Sequence, residues 1–191
     1  DCATEACSVA LFRPGEPIAH EKRVLGRGHA ESLIPMIAAL PDRGRADRIL
    51  VSLGPGSFTG IRVGLAAARA LALAWNAECL GFPTLALVAA GNSDWGLILP
   101  GSMDGDPADV LVCMEGGHGE WFLQPFNAAR CPTGACRAMP PDEAIKHYPH
   151  EIVIGSRAAA FVERRGWGKA HTVLPDAIDS NGIPGDLLSG Q

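Results

Sequence analysis

Polar and apolar residues alternate over CSVALF (7–12) and PIAHEKRVL (17–25), on either side of Pro14-Gly15. Alternation with a Pro-Gly turn predicts an antiparallel hairpin. In HAESLIPMIAAL (29–40) the spacing of Leu33, Ile34, Ile37 and Leu40 is helical. Pro35 removes an amide donor there and is expected to bend or delay the helix. Residues 48–53 form an apolar run (Ile49, Leu50, Val51, Leu53), as in a strand buried on both faces. A glycine-rich turn, GPGSFTGIRVG (54–64), follows it, then a helix over about 61–77, a strand near 79–82 and a helix near 84–91. Residues 92–108 (NSDWGLILPGSMDGDPA) turn to Gly, Pro, Asp and Ser, which places a boundary between domains 1–91 and 92–191. The second half predicts strands at 109–114 and 120–126, a helix near 141–147, a strand at 151–154, a helix near 157–165 and a final extended piece. Each half opens with antiparallel strands and continues into alternating strands and helices. That order fits an α/β fold of two related subdomains, each with a mixed sheet flanked by helices.

Composition narrows the function. The 191 residues are 47% hydrophobic, enough for a substantial core, and the net charge is −5. The one basic cluster (Arg43, Arg45, Arg48) is interrupted by Asp42 and Asp47. Unaided nucleic-acid binding needs a concentrated basic face, so any RNA is expected to be held mainly by a partner. Cys2, Cys7, Cys79, Cys113, Cys131 and Cys136 include no C-x-x-C pair and read as reduced thiols of a cytoplasmic protein. No stretch is read as approaching the length of a membrane span, and no signal peptide is read. Because Asp1 falls in mid-pattern, the start of a short strand is expected to lie ahead of it.

The glycine-rich turn invites three familiar chemistries, and each misses. A phosphate loop needs Lys and a hydroxyl after its last glycine, but Ile61 and Arg62 follow Gly60. The dinucleotide pattern needs glycine where Thr59 stands. The serine-hydrolase elbow fails because Ser57 directly follows Gly56. What survives is a turn at the carboxyl end of a strand, with Ser57 or Thr59 able to cap the next helix. Arg62 in the first helical turn opposes the dipole, which suggests an anionic neighbour, carboxylate or phosphate. Gly60, Gly64, Ala68 and Ala72 recur every fourth residue, with Ala67 nearby, and make a smooth stripe. Glycine inside a helix costs about 1 kcal/mol against alanine, so close approach of another backbone is the plainest compensation at Gly64. That backbone could belong to helix 29–40 or to another protein. His147 and His150 are split by Pro149 and make a poor metal face, and Asp104, Asp106 and Asp109 read as a solvated loop. His29 and Glu31 read as a helix start before an acid–base pair. Glu115 and Glu120 read as surface residues of a hairpin.

The runs DCATEACSVAL (1–11) and GPGSFTGIRVGLAAARALA (54–72) resemble the bacterial TsaB (YeaZ) family. Further similar pieces are HAESLIPMI (29–37), FPTLALVA (82–89), GEWFLQPF (119–126), IVIGSRAAAF (152–161) and LPDA (174–177). The resemblance implies an actin/Hsp70/sugar-kinase-like (ASKHA) fold. It also implies a non-catalytic role in forming N6-threonylcarbamoyladenosine at position 37 of tRNAs that read ANN codons. The partner would be TsaD, the metal-binding paralogue that transfers the threonylcarbamoyl group, with the ATPase TsaE joining and tRNA met only through the complex. By this resemblance the partner face comprises His29, Glu31, Leu33, Ile34, Ile37, Gly60, Arg62, Gly64, Ala67, Ala68, Leu71 and Ala72, and the chain alone would self-associate through it. Kinases of this fold carry an Asp-x-Gly-Thr turn, whereas this chain has Asp1-Cys2-Ala3-Thr4. Alanine there implies lost or residual nucleotide binding, so no cofactor, catalytic residue or metal ligand is assigned. A phosphotransferase of the same fold and a peptidase, as in older glycoprotease labels, are the alternatives. The family's hairpin reads close to D-A-R-x-G-E-V-Y, while this chain has Gly117 in place of the arginine.

Overall fold

A computed structural model describes residues 1–14, 16–91 and 109–190. The turn at Gly15, the 92–108 boundary with Asp104 and Asp106, and Gln191 lie outside the described residues. Two compact units form: Asp1–Leu87 with Pro175–Gln191, and Val88–Leu174.

The first unit opens with strands β1 (Ala6–Arg13) and β2 (Glu16–Val24), paired antiparallel with a register shift between Leu11 and Phe12. Helix α1 (His29–Ala39) follows and continues through Pro35, whose side chain is on the exposed side. Strand β3 (Arg48–Ser52), helix α2 (Phe58–Trp75) and strand β4 (Glu78–Phe82) make a parallel crossover, with β3 and β4 in register from Arg48↔Glu78 to Ser52↔Phe82. Helix α3 spans Thr84–Ala90. Ser57 caps α2 by accepting the Gly60 amide at 3.2 Å, so the helix starts three residues earlier than periodicity alone predicts. Asn76 closes the helix in the left-handed conformation.

In the second unit, β5 (Val110–Glu115) is buried along five of its six residues. It pairs antiparallel with β6 (Trp121–Phe126) and parallel with β8 (Ile152–Ile154). Strands β7 (Arg137–Met139) and β9 (Lys169–His171) complete a sheet ordered β7-β6-β5-β8-β9, with α4 (Pro141–His147) and α5 (Ala158–Arg165) between strands. Leu111, Cys113, Leu123, Val153 and Phe161 form its core, where Trp121 and Phe161 rings stand 5.9 Å apart. His147 and His150 both contact the Tyr148 ring.

Two expectations need correction. The domain division 1–91 and 92–191 fails at its far end, because strand β10 (Ser189–Gly190) pairs antiparallel with β4 in the first unit. The unpaired edge of β4 recruits it, and hydrogen bonds between residues so far apart leave little sequence signal. The expectation about membrane spans also fails for α2. It has 18 residues at mean hydropathy 1.2, long and apolar enough to cross a membrane, with 22% of it buried. Its apolarity comes from leucine, isoleucine, valine and alanine, and Arg69 near its middle would cost about 2.5–3.5 kcal/mol at a bilayer centre.

Phe161 is fully buried against Trp121. Phe161→Ala is expected to destabilise the second unit by about 3–5 kcal/mol, read as a lower urea midpoint with an unchanged slope.

Candidate functional site: the glycine-rich turn and the α1–α2 face

The turn between β3 and α2 is organised around residues 1–4. The Ser57 amide donates to the Ala3 carbonyl at 2.6 Å. A Cβ at Gly56 would fall on that same carbonyl oxygen, and a Cβ at Gly60 would fall on the Cys2 carbonyl oxygen. Glycine is required at both because another stretch of backbone lies where a side chain would be. Gly54, at φ 94, donates to Ser52 Oγ at 3.4 Å and accepts the Thr84 amide at 2.9 Å. Ser52 Oγ and Thr84 Oγ1 are 2.6 Å apart and buried. The amides of Gly54, Ser57 and Gly60 are therefore engaged by the protein's own oxygens, where a phosphate cradle would leave such donors free.

Beneath this turn lie two thiols. Cys2 and Cys7 are buried with their sulfurs 3.5 Å apart. The hydrogen bond between them, reinforced by burial, pushes the Cys2 thiol up, and the same bond holds the Cys7 thiol down. They pack with Val9, Leu33 and Met36 in a core to which Ile37, Val63 and Ala67 also contribute. This core fixes α1 beside α2.

The twelve residues assigned to a partner face divide into buried, half-buried and exposed sets. His29, Leu33, Gly60, Ala68 and Ala72 are buried within the first unit. Gly64 faces Val51 and Cys2, where an added Cβ would make ordinary contacts at 3.7 and 3.8 Å. Ala68 and Ala72 pack on Val51 and Cys79. The small-residue stripe thus admits this chain's own β3 and N-terminal segment, which corrects its assignment to an outer contact surface. Ile37, Ala67 and Leu71 are half-buried at the margin. Glu31, Ile34 and Arg62 are exposed. Arg62 stacks on the Phe58 ring at 3.8 Å from its centroid, so its described neighbour is an aromatic face and not the anion the sequence suggested.

The outward faces carry large apolar residues, and of these Phe58 and Leu73 were not singled out by periodicity. Phe58 is 69% exposed, Leu73 is 87% exposed and Ile34 is 48% exposed. On α2, Arg62, Ala66, Ala70 and Leu73 recur along one exposed stripe, opposite Ala68 and Ala72. The signal was present in the sequence: a helix apolar all round buries one side and leaves the other without cover. Elsewhere, Asp176 of the LPDA segment accepts from His20 Nε2 at 2.6 Å, pairs with Lys22 at 3.3 Å and caps the Ile178 amide. In the second unit, Glu115 pairs with Arg157, and Gly117 sits in a turn with open space around it.

Two α/β units, each with strands flanked by helices and with mixed pairing, define the actin/Hsp70/sugar-kinase-like class. A crystal structure from Pseudomonas aeruginosa, of an uncharacterized protein with similarity to peptidase YEAZ, superposes with a TM-score of 0.76 at 25% identity, covering 95% of this chain and 86% of that one. The family model described as TsaD, tRNA N6-adenosine threonylcarbamoyltransferase, matches residues 22–129, more than half of the chain. The tRNA threonylcarbamoyladenosine biosynthesis protein TsaB of Escherichia coli K12 is 38% identical over 96 residues, 48% of this chain and 41% of that protein. The TsaB of Haemophilus influenzae is 37% identical over 94 residues, 47% of this chain and 39% of that protein. The matches to these curated relatives span about two fifths of their length. The chain belongs to the family of TsaD-like proteins and, within it, to the TsaB (YeaZ) branch.

Gly60 and Gly64 separate two kinds of close contact. Gly60→Ala is expected to destabilise the first unit by roughly 3 kcal/mol, because a backbone carbonyl must move. Gly64→Ala is expected to be neutral or to stabilise by up to about 1 kcal/mol through helix propensity. Chemical denaturation of the two variants beside the parent checks both signs.

Proposed function

We propose that this chain is a non-catalytic subunit of the machinery that forms N6-threonylcarbamoyladenosine in tRNA, and that the exposed faces of α1 and α2 bind a TsaD-type catalytic paralogue. One observation carries this reading: two adjacent helices present Ile34, Phe58 and Leu73 to solvent in a family whose named members are threonylcarbamoyladenosine biosynthesis proteins. Apolar side chains of that size on neighbouring helices mark a surface that is covered in an assembly. The contact is made by the outer residues (Ile34, Phe58, Arg62, Ala66, Ala70 and Leu73), and the buried stripe only sets the height of α2 above β3. In the absence of the paralogue, two copies meet through the same face. TsaE joins the pair, tRNA is held through the complex and the work is done in the cytoplasm.

The absence of a cofactor role is part of the proposal. The Ala3 methyl is buried and its carbonyl is engaged by Ser57, so the backbone that would approach a phosphate is committed to the glycine-rich turn. This supports a scaffold over a phosphotransferase of the same fold. No nucleophile or base assembly in the turn favours a peptidase, since Ser57 Oγ accepts the Gly60 amide as a helix cap.

Leu73→Asp and Ile34→Asp are each expected to weaken capture of purified TsaD at least tenfold while leaving the thermal midpoint within about 2 °C of the parent, as befits exposed positions. Reconstituted tRNA modification should fall in parallel and should not occur with this chain alone. Turnover by the chain without its paralogue, or undiminished capture by both variants, would overturn the proposal.

A further inference from the structure

Cys2 and Cys7 face each other across a short turn. The Ser8 amide donates to the Asp1 carbonyl at 2.9 Å, and the Asp1 nitrogen donates to the Ser8 carbonyl at 2.7 Å. A reciprocal pair of this kind is a hydrogen-bonded rung of an antiparallel ladder. The next residues inward, Cys2 and Cys7, therefore form a non-hydrogen-bonded rung. Residues at such a rung have Cα atoms about 4.5 Å apart and side chains on one face. Disulfides join Cα atoms about 4.4–6.8 Å apart, so the backbone already has a separation the bond accepts. The sulfurs are 3.5 Å apart. They need only close to about 2.05 Å.

Burial decides which oxidant suits the pair. Both thiols are buried, packed with Val9, Leu33 and Met36. Thiol–disulfide exchange requires the sulfur of an incoming disulfide to line up with the attacking thiolate, which burial opposes. Hydrogen peroxide is small and brings no such bulk. The hydrogen bond from Cys2 holds the Cys7 thiol down, so Cys7 is the sulfur that ionises first and attacks.

We propose that Cys2 and Cys7 are a peroxide-oxidisable dithiol whose disulfide locks the glycine-rich turn of the first unit. The Cys7 thiolate attacks one oxygen of hydrogen peroxide and breaks the O–O bond. Cys7 becomes a sulfenic acid, and the departing hydroxide takes up the proton that Cys7 released, as water. The Cys2 sulfur then attacks the Cys7 sulfur, and the sulfenic hydroxyl leaves with the Cys2 proton as a second water. The two sulfurs lose the two electrons that the peroxide gains. The loop so closed contains Ala3, whose carbonyl takes the Ser57 amide, and begins at Cys2, whose carbonyl fills the side-chain space of Gly60. The bond thus ties the segment seated against the glycine-rich turn directly to β1.

The test exposes the folded chain to a modest excess of hydrogen peroxide, alkylates it in denaturant and cleaves it after glutamate, which parts Cys2 from Cys7 at Glu5. The expected product is residues 1–5 joined to the piece that carries Cys7, unalkylated at both sulfurs and separated by dithiothreitol. Cys79 and Cys113, whose thiols burial pushes up, should remain open to alkylation in denaturant. The oxidised chain is expected to melt about 3 °C or more above the reduced chain and to exchange its Ser57 amide at least tenfold more slowly. Cys2→Ala, compared with itself before and after peroxide, should show neither change, whatever the substitution costs in stability. Full alkylation of Cys2 and Cys7 after peroxide would overturn the proposal, as would a linkage that forms only in denaturant. A linkage that leaves Ser57 exchange unchanged would also overturn it, because the turn would not be locked.

Discussion

The first unit depends on the seating of one short backbone segment, Cys2-Ala3, against Gly56 and Gly60. Two carbonyl oxygens occupy the space of two absent side chains, and one of them takes the Ser57 amide. From that contact the rest follows in order. Ser57 is held where its hydroxyl caps α2, α2 starts at Phe58, and its smooth side comes down on β3. The same contact places Cys2 against Cys7 and so closes the core that sets α1 beside α2. A glycine-rich turn commonly reads as a place for a ligand to approach backbone. Here the approaching backbone is the protein's own.

Much of this was legible in the sequence, and the reasons differ by element. The hairpin, α1, β3 and α2 announced themselves through period and turn chemistry, because local propensity and burial agree there. Ser57 was one of two candidate caps, and geometry chose it. Gly64 shows the limit: a helical glycine demands a close neighbour, but whether that neighbour is internal depends on contacts far away in sequence. It is half-buried and faces the Val51 and Cys2 side chains at ordinary contact distance, so its neighbours are internal but the close backbone approach occurs one turn earlier, at Gly60. Phe58 and Leu73 escaped notice for the converse reason, since apolar residues in an apolar helix look like core until the covered side is known. Arg62 was read through the helix dipole, yet the aromatic ring one turn before it is the nearer interaction. The β4–β10 pairing was illegible because two residues of strand at Ser189–Gly190 carry no period.

The split between an inward and an outward side of α2 separates two constraints on one helix. The inward side tolerates only small residues, because β3 and the Cys2 backbone sit close to it. The outward side is free of internal packing, so its composition answers to whatever covers it. Substitutions on the two sides should accordingly act through different quantities, stability on one and association on the other. A helix so apolar that its length and hydropathy meet the requirements of a membrane span is intelligible in these terms, since one side packs on the chain's own β3 and the other is the face proposed to bind a protein partner.

The return of Pro175–Gln191 to the first unit makes the second unit an insertion within the first. On a ribosome emitting the chain from its amino end, β4 emerges early and must wait for β10 through more than a hundred intervening residues. The second unit, contiguous in sequence, can close on its own during that interval, because its pairings span shorter loops. The edge of β4 therefore stays open until β10 emerges, and the order of emergence lets the inserted unit close before the first is finished.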